Sequence, residues 1–370
     1  MAGRIVVFGA TGYTGELVAR ELAGIGERPV LAARDEARVR ALAGALGGLD
    51  WAVADVRRPD SVHALVGRGD VLVSCVGPFA RWGGPAVEAA VAAGAHYLDS
   101  TGETPFIRRV FESYGPRAAQ AGCALVTAMG YDWVPGNLAG ALALREAGEG
   151  ATRLDIGYFL LGEGSAGASA MSGGTRASAA GVFLEPSFAW HGGRIVTERP
   201  GARVRTFMVD GRARKGISAG SSEHFGLPPS FPGLRDVDVY LGWFGGASEA
   251  LRVFSAGLSV ATRLPAVRGV LSEVVARGVK GSTGGPDAEA RAKSGSLVIA
   301  EARDGGGRRL SRVRLAGVNG YDFTAGMLAW GAHAAANGRV HGVGALGPVA
   351  AFGLDALCEG VRSAGIERDA

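Results

Sequence analysis

Three glycines at a spacing of three, set where an apolar run ends and a helical pattern begins, constrain this chain more than any other feature. The run is Val6-Val7-Phe8-Gly9-Ala10-Thr11-Gly12-Tyr13-Thr14-Gly15. Gly9 permits a tight turn out of a strand, Gly12 removes a Cβ so that backbone N–H groups can approach a diphosphate, and Gly15 lets helix and strand pack closely. The start of the following helix gathers unpaired N–H donors and so makes an anion site. A tight turn with no ligand has the same local look, so the surrounding pattern must decide between them.

That pattern repeats. Apolar runs at 5–8, 29–33, 51–54, 71–76, 97–98 and 124–128 alternate with helical spacings at 15–24, 36–46, 84–93, 105–121 and 136–146. Parallel strands can be joined only through a crossover, so strand-helix alternation predicts a doubly wound parallel sheet. Residues 1–150 are therefore expected to form an α/β Rossmann domain that binds NAD(P). Beyond 151 the texture changes to glycine-rich loops and alternating segments at 203–209, 237–243, 296–303 and 310–315. These predict an α+β domain over 151–345, with a mostly antiparallel sheet, for substrate binding and dimerisation. Asp304-Gly-Gly-Gly307 has the composition of a hairpin connection. Helical patterns at 322–336 and 349–363 follow, and 346–370 is expected to pack back on the first domain. The chain has 62 glycines, well above the roughly 7% that is usual, but they lack the three-residue period of collagen.

Charge and cysteine content narrow the function classes. Basic residues number 39 against 35 acidic ones, a net +4, and no run of five cations occurs, so nucleic acid is not an expected partner. Cys75, Cys123 and Cys358 are odd in number and far apart, which fits neither a disulfide framework nor a C-x-x-C site and points to a reducing cytoplasm. The dispersed histidines show no metal-ligand spacing, so no metal is expected. No secretory h-region and no membrane-spanning run is apparent. Residues 249–280 form a basic, amphipathic helical pattern interrupted at Leu264-Pro265. It reads as a helix pair packing on the second domain or across a homodimer, with peripheral membrane contact as the alternative.

Cofactor contacts are expected first from the cradle itself, at Gly9, Thr11, Gly12, Tyr13, Thr14 and Gly15. At the end of the second strand, Arg34 can pair with a 2′-phosphate, which favours NADP over NAD. Asp35 leaves the other choice open, since an acidic group there would meet a ribose hydroxyl. Asp55 ends the third strand, where it would face the adenine edge or serve a turn. Ligands of open α/β sheets sit beyond the carboxyl ends of the strands, so Cys75, Val76, Gly77 and Pro78 are expected near the nicotinamide.

Taken together, Gly9-Ala-Thr-Gly-Tyr-Thr-Gly15, Leu31-Ala-Ala-Arg34, Cys75-Val-Gly-Pro-Phe79, Gly94-Ala-His-Tyr-Leu-Asp-Ser-Thr-Gly-Glu103 and Gly130-Tyr-Asp-Trp-Val-Pro135 resemble the saccharopine dehydrogenase-like oxidoreductases. The branch they look like holds the bacterial trans-acting enoyl reductases and the animal saccharopine dehydrogenase-like oxidoreductase. The likeness covers residues 1 to about 142 and extends weakly through 173–178 and 320–325. It implies an NAD(P)-binding Rossmann domain, a second α/β domain and reduction of a C=C or C=N bond, and it carries no substrate. Two families with a similar opening are set aside. A short-chain dehydrogenase needs Tyr-x-x-x-Lys, but Gly211, Ala276 and Glu289 stand four before Lys215, Lys280 and Lys293. An N-acetylglutamyl-phosphate reductase needs an acylated cysteine, whereas Cys123 opens an apolar strand.

Hydride transfer requires a proton source or charge stabiliser facing the reacting carbon. The loops after the fifth and sixth strands supply the candidates. Tyr131 and Asp132 are the expected acid and orienter, with Asp99 and Glu103 as alternatives. Two of them also have a structural reading: Asp132 as a turn residue before Pro135, Asp99 as a cap. The expected activity is NADPH-dependent reduction of an enoyl or imine bond in a small molecule held between the domains. The other open reading is a dinucleotide sensor that regulates a partner without turnover.

Overall fold

The structure, a computed structural model, describes residues 3–162, 185–261 and 284–369. It divides into two compact units, the first drawn from Met1–Gly102, Phe106–Val134 and Gly320–Ile366, the second from Glu103–Pro105, Pro135–Asn319 and Glu367–Ala370. The expected cuts at 150 and 345 fall elsewhere. Val134 ends the Rossmann portion, and 320–366 returns to it.

The first unit is built on a parallel sheet of β1 (Ile5–Phe8), β2 (Val30–Ala33), β3 (Trp51–Val53), β4 (Val71–Ser74), β5 (His96–Asp99) and β6 (Ala124–Val126). Their order is β6-β5-β4-β1-β2-β3, and a two-residue strand at Gly344–Ala345 extends it beside β6. That order is doubly wound, and it reverses between β1 and β4, where a crevice opens at the carboxyl ends. β1 and β4 are buried at every position, as a sheet covered on both faces requires. One face carries Val6, Phe8, Leu72, Tyr97 and Leu125 against Val87, Ala90 and Phe106. On the other, Leu98 lies so near the helix Gly320–Ala336 that a Cβ on Gly331 would stand 2.8 Å from it.

Two long helical patterns break for stereochemical reasons. The stretch predicted at 105–121 forms Thr104–Arg109, a π turn over Val110–Tyr114 and Gly115–Ala121. Pro116 has no N–H for the helix ladder, and a widened turn precedes it. The stretch at 349–363 breaks into Pro348–Phe352 and Leu354–Ser363 at Gly353, whose φ of +79° is in the region that favours glycine.

The second unit holds a mixed sheet. Its strands are β7 (Arg153–Gly162), β8 (Ser187–His191), β9 (Arg194–Glu198), β10 (Val204–Val209), β11 (Arg212–Ser218), β12 (Asp236–Leu241), β13 (Ser294–Arg303) and β14 (Arg309–Val318), with the short strand Ile366–Arg368 as a ninth beside β14. The order runs β10-β11-β12-β7-β13-β14, with the β8–β9 hairpin on β12. β12 is parallel to β7, and the β10–β11, β11–β12, β7–β13 and β13–β14 pairs are antiparallel. β7, which the sequence analysis did not pick out, is central: Leu154, Ile156 and Tyr158 are buried on one face, and Asp155 and Phe159 on the other. The 304–307 turn joins β13 to β14 as expected, with Asp304 accepting the N–H groups of Gly306 and Arg308.

Of the 249–280 pattern, the helix Ser248–Ala261 is described, with Val253 and Phe254 exposed. Residues 262–280 lie outside the described residues, as does the 173–178 motif. No helix among the described residues is long and apolar enough to cross a membrane.

Candidate functional site

The cradle sits at the reversal point. Gly9 leaves β1 with a φ of +85°, and its N–H donates to the Ala32 carbonyl of β2 at 2.8 Å. A Cβ there would stand 2.8 Å from the Val76 side chain. Gly15 is tighter still, since a Cβ would approach the Gly9 carbonyl oxygen to 2.2 Å, well inside van der Waals contact. Gly12 is the N-cap of the helix Tyr13–Gly24, and no side chain caps its first turn. Those first N–H groups therefore face the crevice available to an anion. Thr11, Gly12, Tyr13 and Thr14 are partly exposed, and the Tyr13 ring stands edge-on to Tyr321 at 5.2 Å.

Arg34 is exposed just beyond β2, two residues after the strand position that accepts the N–H groups of Gly9 and Ala10. Its neighbour Asp35 is committed elsewhere: its carboxylate caps the helix Glu36–Ala45 by accepting the Arg38 N–H at 3.0 Å. The cap bond orients Asp35 toward its own helix, while Arg34 leaves an exposed guanidinium at this end of β2. Arg38 is the residue that sequence reasoning missed. Its guanidinium donates to the Thr11 carbonyl at 2.8 Å, bringing a second cation against the glycine loop; the i, i+4 spacing from Arg34 was the available signal.

Asp55 lies in its own turn. It accepts the Arg57 N–H at 2.9 Å and pairs with the Arg57 guanidinium at 2.7 Å. The Arg57 side chain holds its carboxyl down at about 2. This geometry matches the turn role, one of the two that the sequence left open.

After β4, Cys75 donates its N–H to the Phe8 carbonyl of β1 at 2.8 Å. Burial pushes its thiol up to about 12, with Asp99 adding to the effect, so it stays protonated and is no nucleophile at neutral pH. Val76 fills the space beside Gly9. Gly77 is exposed and Pro78 partly so; they begin the loop at the carboxyl end of β4. A Cβ on Gly77 would meet only the Phe79 ring, at 3.6 Å, so no protein contact demands glycine there.

The four acid candidates fare differently. Asp99 ends β5, is fully buried and accepts from the N–H groups of Thr101 and Ala128 and from the Thr127 hydroxyl at 2.9, 2.8 and 2.7 Å. Burial pushes it up to about 6 despite those bonds. Tyr131 is buried, its ring near Phe323 and closely against Gly320, and its N–H donates to the Thr324 hydroxyl at 3.0 Å. These are the contacts of a packing residue. Glu103 is buried and falls in the segment that groups with the second unit.

Asp132 stands apart. It is partly exposed, yet Oδ1 is closed off from solvent and makes no hydrogen bond among the described residues. Burial alone pushes its carboxyl up to about 7. Gly102 backs it: a Cβ there would lie 3.1 Å from Oδ2. A carboxyl poised near neutral pH, with no cation among the described residues to hold its charge, suits a general acid. No metal-binding group occurs among the described residues.

Residues 5–126 match the family model described as the saccharopine dehydrogenase NADP binding domain, which makes NADP the cofactor indicated for this part of the chain. A trans-acting enoyl reductase of Mycobacterium tuberculosis is 39% identical over 140 residues, covering 36% of this chain and 34% of its own. One of Mycobacterium ulcerans is 38% identical over 154 residues, covering 40% and 37%. The chain thus spans about a third of the length of these curated relatives. The apo saccharopine dehydrogenase (L-Glu forming) of Saccharomyces cerevisiae aligns over 99% of both chains with a TM-score of 0.58 and 13% identity, a likeness of fold. The glycine cradle, the uncapped helix start and the unpaired guanidinium beyond β2 fit the group that this domain type binds.

Proposed function

We propose that this chain is an NADPH-dependent reductase acting on the C=C bond of an enoyl-type small molecule, with Asp132 as the proton donor. The observation that carries this reading is the Asp132 carboxyl, buried at Oδ1, without a cation among the described residues and held near neutral pH. The glycine loop and helix start would hold the diphosphate, and Arg34 with Arg38 would flank the 2′-phosphate. When bound, NADPH supplies a hydride to the β-carbon of the acceptor. Asp132 then gives its proton to the α-carbon, becomes a carboxylate and is reprotonated from water at its exposed side. One hydride and one proton saturate the bond.

The same carboxyl supports C=C over C=N reduction. A cationic iminium would draw an adjacent carboxyl toward its ionised form, whereas a neutral enoyl acceptor calls for an acid that keeps its proton until the transition state. The names of the trans-acting enoyl reductases are in keeping with this choice.

The test is NADPH consumption with a panel of trans-2-enoyl thioesters and, in parallel, cyclic imines. Turnover of the thioesters, lost in Asp132→Asn with NADPH affinity retained, is the expected result. Turnover of imines alone would reverse the substrate choice. Tight NADPH binding with no turnover of either panel would favour the dinucleotide sensor.

A further inference from the structure

We propose that Asp99 is a positioning residue, whose carboxylate clamps together the loop that carries Asp132 and the loop that backs it. The inference rests on Asp132 as the proton donor and adds a device that holds it in place.

Asp99 sends nothing toward solvent. Its Oδ1 takes the N–H groups of Thr101 and Ala128, its Oδ2 takes the Thr127 hydroxyl, and its main-chain carbonyl takes the Met129 N–H at 2.8 Å. One residue on β5 thus gathers donors from both sides of the substrate end. Thr101 precedes Gly102, the residue against Asp132 Oδ2. Ala128 stands at a φ of +59°, a left-handed conformation that is unfavourable for a residue with a Cβ. Ala128 also closes the turn bearing Asp132, its carbonyl accepting the Trp133 N–H at 3.1 Å.

A strained bend persists only where its surroundings over-determine it. Here the Asp99 carboxylate does so, since it binds the N–H of the strained residue. The clamp itself is costly: among the described residues no cation accompanies this fully buried carboxyl, and burying charge without one is unfavourable. With both oxygens occupied by loop donors, Asp99 is poorly placed to act on a substrate.

The decisive comparison is between Asp99→Ala and Asp99→Asn. Asn keeps an acceptor for the two N–H groups and can donate to the Thr127 oxygen, but it cannot serve as an acid. Asp99→Ala is expected to lower turnover of a trans-2-enoyl thioester about 10²-fold, the scale of a 1 Å misplacement, with NADPH affinity unchanged, and Asp99→Asn to keep most of it. Adding Ala128→Gly to Asp99→Ala should restore turnover, because glycine adopts the bend unaided. Thr127→Val, which removes one bond, gives a milder loss should Asp99→Ala not fold. A readout free of substrate is the carboxyl ¹³C titration of Asp132, which should move from near 7 toward the ordinary carboxylate range in Asp99→Ala and return with Ala128→Gly.

Equal inactivity of Asp99→Asn and Asp99→Ala, with no rescue by Ala128→Gly, would overturn the clamp and make Asp99 the acid. An unmoved Asp132 titration in Asp99→Ala would overturn it as well. Full activity of Asp132→Asn would instead remove the donor assignment, and the titration would still decide whether Asp99 holds the loop.

Discussion

Asp99 and Asp132 of the first unit and the acid row of the second are treated in opposite ways; elsewhere in the first unit Asp55 and Asp70 are paired, with Arg57 and Arg4. In the second, Asp238, Asp155 and Glu301 stand side by side in register on β12, β7 and β13, and cations surround them. Asp238 faces Arg203 at 2.8 Å and His191 at 3.4 Å, Asp155 faces Arg205 at 2.7 Å, and Glu301 faces Arg303 at 2.6 Å and Arg205 at 3.0 Å. Burial pushes all three upward; for Asp238 its histidine and arginine partners outweigh it, and for Glu301 its arginines do, so both stay below the usual range. For Asp155 burial prevails. In the first unit, Asp99, fully buried, and Asp132, partly exposed with Oδ1 closed off, have no ion-pair partner among the described residues, and both rise. Arg34, on the same sheet edge, has no carboxylate partner among the described residues either. Compensated charge reads as architecture, and uncompensated charge at the carboxyl ends of parallel strands reads as a site.

The contrast can be broken in order of expected effect. Asp132→Asn should lower turnover about 10²- to 10⁴-fold, the usual worth of a general acid, with NADPH binding by fluorescence unchanged. Activity in the wild type should fall as pH rises through about 7, where Asp132 loses its proton; a rate that instead rises across that range would remove it as the acid. Because the folded-state value exceeds the unfolded one, the stabilising contribution of Asp132 is full below about 4 and is lost as pH rises through 7. The Asn variant should therefore melt higher than wild type above pH 7, with a gap that closes in acid.

Arg34→Ala should weaken NADPH roughly 10- to 100-fold, the range for lost hydrogen bonds to a charged group, and leave NADH nearly untouched. Equal effects on both cofactors would remove the 2′-phosphate assignment. Arg38→Ala should cost less and affect both cofactors, since its guanidinium also braces the Thr11 carbonyl.

Glu301→Gln is the smallest change for catalysis. Turnover should hold, while stability at pH 7 falls by about 1–3 kcal/mol as the arginines lose their charged partner. The carboxyl sits below its usual range, so this contribution is present above the unfolded value near 4.5 and is lost as pH falls through the folded one. Denaturant melts should show the two proteins converging in acid. A large activity loss with unchanged stability would mean that this network does more than hold the sheet.

Much of the first unit was legible because its rules are local. Gly9, Gly12 and Gly15 announce their turn by spacing, and two-sided burial makes β1 and β4 read as continuous apolar runs. The second unit hid β7: Leu154, Ile156 and Tyr158 share one face, but the alternation with Asp155 and Gly157 is short and gives way to the unbroken apolar run Tyr158-Phe-Leu-Leu161. It also hid the acidic row, because Asp155, Asp238 and Glu301 are far apart in the chain and meet only through strand register.

The acid candidates divide along the same line. Residue type and position after β5 and β6 named Asp99, Glu103, Tyr131 and Asp132, but nothing in the order of residues ranks them. Ranking required knowing which oxygens were already occupied: Asp99 is taken by three loop donors, the Tyr131 ring is packed, and Asp132 keeps Oδ1 without a hydrogen bond. Asp35 likewise looked like a rival to Arg34 until its cap bond oriented it toward its own helix. The sequence alone determined the nucleotide cradle and the parallel sheet, because stereochemistry near the chain enforces both. Only the tertiary structure decided the state of each carboxyl, because burial and hydrogen-bond supply are set by neighbours that the chain brings together from afar.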